Sequence, residues 1–203
     1  MSFANIAALT IHDVKNKLAS IAGVAESRGD QDTVQAIIEV ADTLTRLLVF
    51  YRAEHDTLYL NINSHTPEDL ISELTTNHYG RADISIASNT NEAPLMWMYD
   101  ELLIRMILEN ALQNASRFAK NRILISAREI EAYLEITVQD DGPGFTLNQL
   151  VDNDYHARVT QEGTGLGLVL ARHIAALHTN NQSQGRIELS NQNGAVFRLL
   201  LPA

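Results

Sequence analysis

The sequence predicts an α+β protein: an N-terminal helical hairpin that pairs with a second copy into a dimeric four-helix bundle, then a mixed sheet covered by helices on one face. Three observations predict it. Apolar residues between Ala4 and Tyr51 recur in alternating steps of three and four, the seam of packed helices. From Leu58 onward, stretches of alternating and of helical periodicity intermingle. Those stretches lack the βαβ regularity of an all-parallel sheet, which leaves a mixed sheet with its helices on one side.

In the first helix the seam runs Ala4, Ala7, Ile11, Val14, Leu18, Ile21 and Ala25; Arg28-Gly29-Asp30 breaks it, and a second seam follows at Val34, Ile37, Ala41, Leu44, Leu48 and Tyr51. Two helices with so short a connection form an antiparallel hairpin. Ile38 and Leu47 widen the second stripe beyond what one hairpin covers, so a homodimer is expected. This register turns His12, Asp13 and Asn16 away from the seam. Ile6 and Leu9 fall near the His12 face; a docking surface and the loss of upstream helix contacts explain them equally well.

Glu54 to Asp56 forms the linker, giving a helical unit over 1–54 and a second domain over 55–203. Leu58 to Ile62 alternates as a strand, Thr66-Pro67-Glu68-Asp69 starts a helix with a capping residue and early acids, and Asp83 to Ala87 is again strand-like. Pro94 to Met98 fits neither pattern cleanly. A helix is predicted over Asp100 to Phe118, its apolar face at Ile104, Leu108, Ala111, Ala115 and Phe118, with Asn110, Asn114 and Arg117 bordering that face. Ile123–Arg128 and Tyr133–Val138 pair antiparallel; a helix spans Gly165 to His178; Thr179 to Gln184 is a loop; and Gly185–Leu189 with Val196–Leu201 closes the chain as a hairpin around Asn191-Gln192-Asn193-Gly194.

Composition narrows the function classes. Apolar residues make up 45% of the 203, enough for a sizeable core, and no stretch approaches the ~20 apolar residues of a membrane span. No leader follows Met1, and the chain has no cysteine, so disulfides and thiolate metal sites are excluded and a cytoplasmic protein is expected. A net charge of −10 without a basic patch argues against nucleic-acid binding.

The chemistry concentrates between Asp140 and Leu168. Asp140-Asp141-Gly142-Pro143-Gly144 follows a strand, and Gly163-Thr164-Gly165-Leu166-Gly167 opens a helix, with a polar run from Thr146 to Glu162 between them. A strand-end aspartate can accept from an exocyclic amine, and a glycine-lined helix N-terminus offers amides and a positive dipole end to phosphates. A purine nucleotide site is the combined expectation. Upstream, Asn110 and Asn114 lie one helical turn apart, so their amides share a face.

In this order and spacing, Asn110-Ala-Leu-Gln-Asn114, Asp140-x-Gly142-x-Gly144 and Gly163-x-Gly165-x-Gly167 resemble the N, G1 and G2 boxes of the GHKL ATPases, and His12-Asp13-Val14-Lys15-Asn16 resembles the H box of sensor histidine kinases. The resemblance covers nearly the whole chain. It implies an α/β sandwich of GHKL type that binds ATP and Mg²⁺, with Asn114 as the Mg²⁺ ligand, Asn110 beside it, Asp140 reading the adenine amine, and Gly142, Gly144, Gly163, Thr164, Gly165, Leu166 and Gly167 around the nucleotide. Asp141 competes with Asp140 by adjacency, but the D-x-G-x-G spacing selects Asp140. Arg117 stands where the family commonly has a phosphate-contacting lysine and Phe118 where it often has a tyrosine. His12 would be the phosphoacceptor, Asp13 the acid that orients or deprotonates it, and Asn16 the residue that supports regulator dephosphorylation. The implied partners are a second copy of the chain and the receiver domain of a response regulator. Lys17 replaces a common proline; Leu150 and Tyr155 are all that stand for the family's aromatic lid motif; Arg158 is a weak candidate for a phosphate contact. Two rivals remain: a histidine phosphotransfer protein with a degenerate second domain, and a hydrolytic or serine-directed ATPase using Glu109 as base.

Overall fold

The structure, a computed structural model, describes residues 3–55, 57–76, 83–151 and 166–203. The chain divides into two units, Met1–Leu58 and Tyr59–Ala203.

The first unit is a helical hairpin of α1 (Phe3–Ser27) and α2 (Gln31–Glu54). Asp30 caps α2: its Oδ1 accepts the Thr33 N–H at 3.1 Å and its Oδ2 the Thr33 hydroxyl at 2.7 Å, satisfying one of the free amides of the first turn. The second seam packs as expected, Val34, Ile37, Ala41, Leu44, Leu48 and Tyr51 all being half-buried. The first seam splits. Ile11 and Leu18 are half-buried and Ala25 is buried, whereas Val14 and Ile21 stay exposed together with Val24. Among the described seam residues of α1, one hairpin therefore withdraws only Ile11, Leu18 and Ala25, seven apart. The side chains of Ile6 and Leu9 lie outside the described residues.

The second unit is built from β1 (Asn63–His65), α3 (Pro67–Thr76), β2 (Ser85–Glu92), β3 (Trp97–Tyr99), α4 (Glu101–Phe118), β4 (Arg122–Ile130), β5 (Tyr133–Asp140), α5 (Leu147–Val151), α6 (Leu166–Leu177), β6 (Thr179–Asn180), β7 (Ser183–Gln184), β8 (Arg186–Asn191) and β9 (Ala195–Pro202). Five strands form the main sheet in the order β2-β4-β5-β9-β8, with β2 parallel to β4 and every other pair antiparallel. This is the mixed sheet the sequence predicts. The extended segment around Leu58 to Ile62 is not the strand its alternation indicates: the Asn61 N–H donates to the Asp100 carboxylate at 2.8 Å, and β1 begins only at Asn63, where it meets β3. The same pairing resolves Pro94 to Met98. Thr179 to Gln184 folds as the small β6–β7 hairpin and not as an irregular loop.

Register decides which side chains enter the core. Ile123, Ile125 and Ala127 of β4 oppose Asp140, Val138 and Ile136 of β5, and Leu134, Ile136 and Val138 oppose Leu201, Leu199 and Phe197 of β9. All of these are buried. Alternation by two sends them to one face, where α4 and α6 meet them through Leu108, Ala111, Leu112 and Ala115 and through Leu170, Ile174 and Ala175. Each fully buried aliphatic side chain contributes roughly 1.5–3 kcal/mol. Phe118 departs from its predicted place on that stripe: it is 43% exposed, because the helix ends there and Ala119 takes the buried position. The opposite face is polar; Arg128 Nε donates to Glu135 Oε1 at 2.7 Å and Arg198 Nη1 to the Ser190 hydroxyl at 2.8 Å.

Asp100 and His178 tie α4 to α6. Asp100 Oδ1 accepts the Leu103 N–H, while the Asp100 N–H donates to His178 Nε2 at 3.1 Å. That leaves the proton on Nδ1, which donates to the Ile174 carbonyl at 2.9 Å. Burial pushes the His178 imidazole below the ordinary histidine pKa, so it stays neutral.

Candidate functional site

Because Ile123 faces the helices, its partner Asp140 does too, at the end of β5. Asp140 is only 7% exposed, and a carboxylate so placed needs hydrogen bonds. Oδ1 receives two, from the Gly142 N–H at 2.7 Å and the Ala195 N–H at 3.2 Å. Among the described residues nothing donates to Oδ2, which is left as an acceptor for a ligand.

Asp141, its neighbour, has a different task. Its carboxylate accepts the N–H groups of Lys120, Asn121 and Arg122 at 2.8, 3.0 and 3.3 Å. These amides, Asn121 foremost, hold its pKa down to about 2. Asp141 thus fastens the α4–β4 connection.

The glycines permit close approaches. A side chain at Gly142 would collide with the Phe118 carbonyl oxygen, and one at Gly167 with the Asn110 amide. Gly144 adopts φ +85°, a left-handed conformation that glycine favours, with an added Cβ falling 2.7 Å from Asn191 Oδ1. Gly142 and Gly167, one from each cluster, are in this way drawn onto α4. Asn110, Phe118, Asp140, Gly142 and Gly167 come together around the second half of that helix, and Asn114 and Arg117 are exposed on it. Asn114 Nδ2 lies 3.4 Å from Asn110 Oδ1, which turns the Asn114 amide oxygen outward. The Arg117 guanidinium lies 5.4 Å from the centre of the Phe118 ring. Gly163, Thr164, Gly165, Tyr155 and Arg158 lie outside the described residues, as does the Leu166 side chain; Leu150 is half-buried on α5.

His12, Asp13 and Asn16 belong to the helical unit, exposed on α1 as the seam register requires. Glu109 is exposed on α4.

Sequence reasoning predicted the β8–β9 hairpin but not that its turn reaches Asp140 and Phe145. Gly194, at φ 146°, presses against the Asp140 carbonyl oxygen; Ala195 donates to Asp140; and Asn191 holds Phe145 by two hydrogen bonds. The only signal was Asn191-Gln192-Asn193-Gly194, which marks a turn without saying what the turn touches.

Residues 99–203, just over half of the chain, match the family described as histidine kinase-, DNA gyrase B-, and HSP90-like ATPase. The sensor-like histidine kinase SenX3 of Mycolicibacterium smegmatis is 28% identical over 216 residues, covering 94% of this chain and 55% of SenX3. The chain spans about half the length of the curated relatives it matches. Full-length ShkA in complex with AMPPNP has the same fold, with a TM-score of 0.69 over 100% of this chain and 47% of that one at 21% identity. The nucleotide-free catalytic domain of the histidine kinase ThkA matches 70% of this chain and 98% of its own, with a TM-score of 0.61 and 25% identity. Among the described residues no helix is long and apolar enough to cross a membrane.

Proposed function

Because the chain belongs to the family of histidine kinase-, DNA gyrase B- and HSP90-like ATPases, we propose that it is the catalytic core of a cytoplasmic, homodimeric two-component histidine kinase. It phosphorylates His12 from Mg-ATP, passes the phosphoryl group to an aspartate on a response-regulator receiver domain, and assists in that regulator's dephosphorylation.

One observation carries the reading. Among the described residues Asp140 keeps Oδ2 available while Oδ1 is tied to Gly142 and Ala195, in a site where Gly142 and Gly167 pack onto α4. That arrangement fits adenine, whose exocyclic amine needs an acceptor held in a fixed direction. The outward amide oxygen of Asn114 fits a hard cation such as Mg²⁺, with Asn110 fixing its orientation. Arg117, at the exposed end of α4, supplies positive charge for the phosphates. Gly163, Thr164, Gly165, Leu166 and Gly167 are assigned to the phosphate end, with the amides that open α6.

Bound Mg-ATP supplies the γ-phosphoryl group and the charge neutralisation its transfer needs. An imidazole nitrogen of His12 forms the N–P bond as the P–O bond to ADP breaks, and Asp13 accepts the ring proton. The exposure of both residues leaves the imidazole open to a donor site and to a receiver domain in turn. Asn16, one turn along the same face, is assigned to the reverse step, orienting water toward the phosphorylated regulator.

Incubation of the full chain with labelled ATP and Mg²⁺ tests this. Acid-labile, base-stable label is expected on the wild type and none on His12→Gln; label retained by that variant overturns the acceptor. Asn16→Ala should keep autophosphorylation and lose regulator dephosphorylation. A chain that binds no Mg-ATP would instead be a phosphotransfer protein.

A further inference from the structure

We propose that Asn191 is a positioning residue for nucleotide binding, acting through the Gly144–Phe145 backbone. The inference rests on the kinase reading, but it assigns a role to a side chain from outside all the sequence motifs.

Asn191 is the last residue of β8, opposite Ala195 in the β8–β9 register. Its side-chain amide behaves as a second peptide group. Oδ1 accepts the Phe145 N–H at 2.8 Å, and Nδ2 donates to the Phe145 carbonyl at 2.9 Å. Both polar backbone groups of one residue are thereby held by one side chain. Gly144 immediately before it sits at φ +85°, a conformation a free chain would readily leave, and a Cβ added there would fall 2.7 Å from Oδ1 of the same amide.

The grip is continuous with the hold on Asp140. The Ala195 N–H donates to Asp140 Oδ1, the Gly194 backbone abuts the Asp140 carbonyl, and Gln139 Nε2 donates to the Gln192 carbonyl at 3.0 Å. The β8–β9 turn therefore holds the segment at both ends, at Gln139–Asp140 and at Phe145, with Gly142 and Gly144 between. Asp141 is held by the α4–β4 amides and Gly142 by Asp140, so the clasp at Phe145 fixes the stretch that remains, Pro143–Gly144, and with it the direction in which the Gly142–Gly144 peptides face the ligand. That pre-organisation lowers the ordering cost a nucleotide would otherwise meet on binding. Asn191 is itself exposed at a strand end, so its truncation removes the clasp without opening the core.

The test measures Mg-ATP affinity by calorimetry, together with KM and kcat for autophosphorylation, in the full-length wild type, Asn191→Ala and Asn191→Asp. In Asn191→Ala, Kd and KM should rise about tenfold, the weight of one to two net hydrogen bonds, with kcat within about twofold. Asn191→Asp keeps the acceptor for the Phe145 N–H but sets an oxygen against the Phe145 carbonyl, so its affinity should lie between the other two. The melting temperature should stay within a few degrees throughout. Unchanged affinity in Asn191→Ala, with the wild type binding normally, overturns the positioning role alone. A parallel fall in kcat and melting temperature also overturns it, by showing general structural damage. Failure of the wild type to bind Mg-ATP removes this inference and the kinase reading together.

Discussion

The helical hairpin and the sheet unit treat apolar surface in opposite ways. In the sheet unit Tyr99, Ile104, Leu108, Leu112, Ile136, Ile174 and Leu199 are almost wholly withdrawn from water. In the hairpin, α2 has no buried residue, and Ile21, Val40, Ile38 and Leu47 are 53, 50, 47 and 46% exposed. The difference teaches that the proposed nucleotide site stands on a core buried within one chain, whereas His12 stands on helices whose apolar faces are exposed in one chain. In the proposed dimer that cover is a second hairpin. The acceptor's stability then depends on protein concentration, and the donor site's does not.

Core truncation separates the two most sharply. Leu108 sits under the sheet at 0% exposure, and Leu108→Ala should cost about 2–5 kcal/mol, a large fraction of the ~5–15 kcal/mol typical of a domain. Trp97, the chain's one tryptophan, is buried in the sheet unit with Nε1 donating to the Pro202 carbonyl, so its fluorescence reports that unit. The expected result is an earlier Trp97 transition in denaturant with the helical signal of the hairpin persisting beyond it; a single coincident transition would contradict independent units. The converse variant, Ile38→Glu, removes little packing within one chain but places a charge on the face proposed to pair. Sedimentation equilibrium should show self-association weakened more than tenfold, at an order of magnitude of ~1.4 kcal/mol or above, while Trp97 unfolds as in the wild type.

Asp140→Asn acts on binding and within the sheet unit alone. Asparagine preserves an acceptor for Gly142 and Ala195 but points an amide N–H where Oδ2 was, donor against donor for an adenine amine. Adenine nucleotide affinity should fall by about 1.5–3 kcal/mol, read by calorimetry, with the melting temperature nearly unchanged. Equal affinity in the two proteins would remove Asp140 from base recognition.

What was legible in the sequence followed from periodicity and spacing. The seams placed His12 outward because a heptad register fixes every side chain once a few apolar positions are set, whereas the face that Asp140 occupies followed only from its pairing with Ile123. Two kinds of fact were hidden. Leu58 to Ile62 alternates like a strand, but pairing depends on a partner far along the chain, and Asp100 took the Asn61 amide instead. Asn191 and Gly194 read as an ordinary turn, since only the folded register brings the end of β8 beside Phe145. Motif spacing singled out Asp140 over Asp141 but gave no hint that Asp141 would be occupied by three backbone amides, since those amides come from just beyond the far end of α4.

The smallest effect expected is one of pH, and it too belongs to the sheet unit. His178 is 2% exposed, and its Nε2 lone pair is committed to the Asp100 N–H, so protonation in the folded state would cost that hydrogen bond and bury a charge. Its folded pKa is depressed, chiefly by burial, below an ordinary value of about 6.5. Below that value the unfolded chain takes up a proton that the folded chain refuses, so stability is full above about pH 6.5 and declines as pH falls until the folded imidazole also titrates. The decline should be on the order of 1 kcal/mol per pH unit within that window. Denaturation followed by Trp97 at pH 7.5 and 5.5 measures it, and His178→Gln, less stable at the higher pH, should lose much of the difference between the two. The hairpin lacks the His178–Asp100 junction, and its helical transition should shift far less over the same interval. An equal shift in both transitions would show that the pH response does not arise at the His178–Asp100 junction.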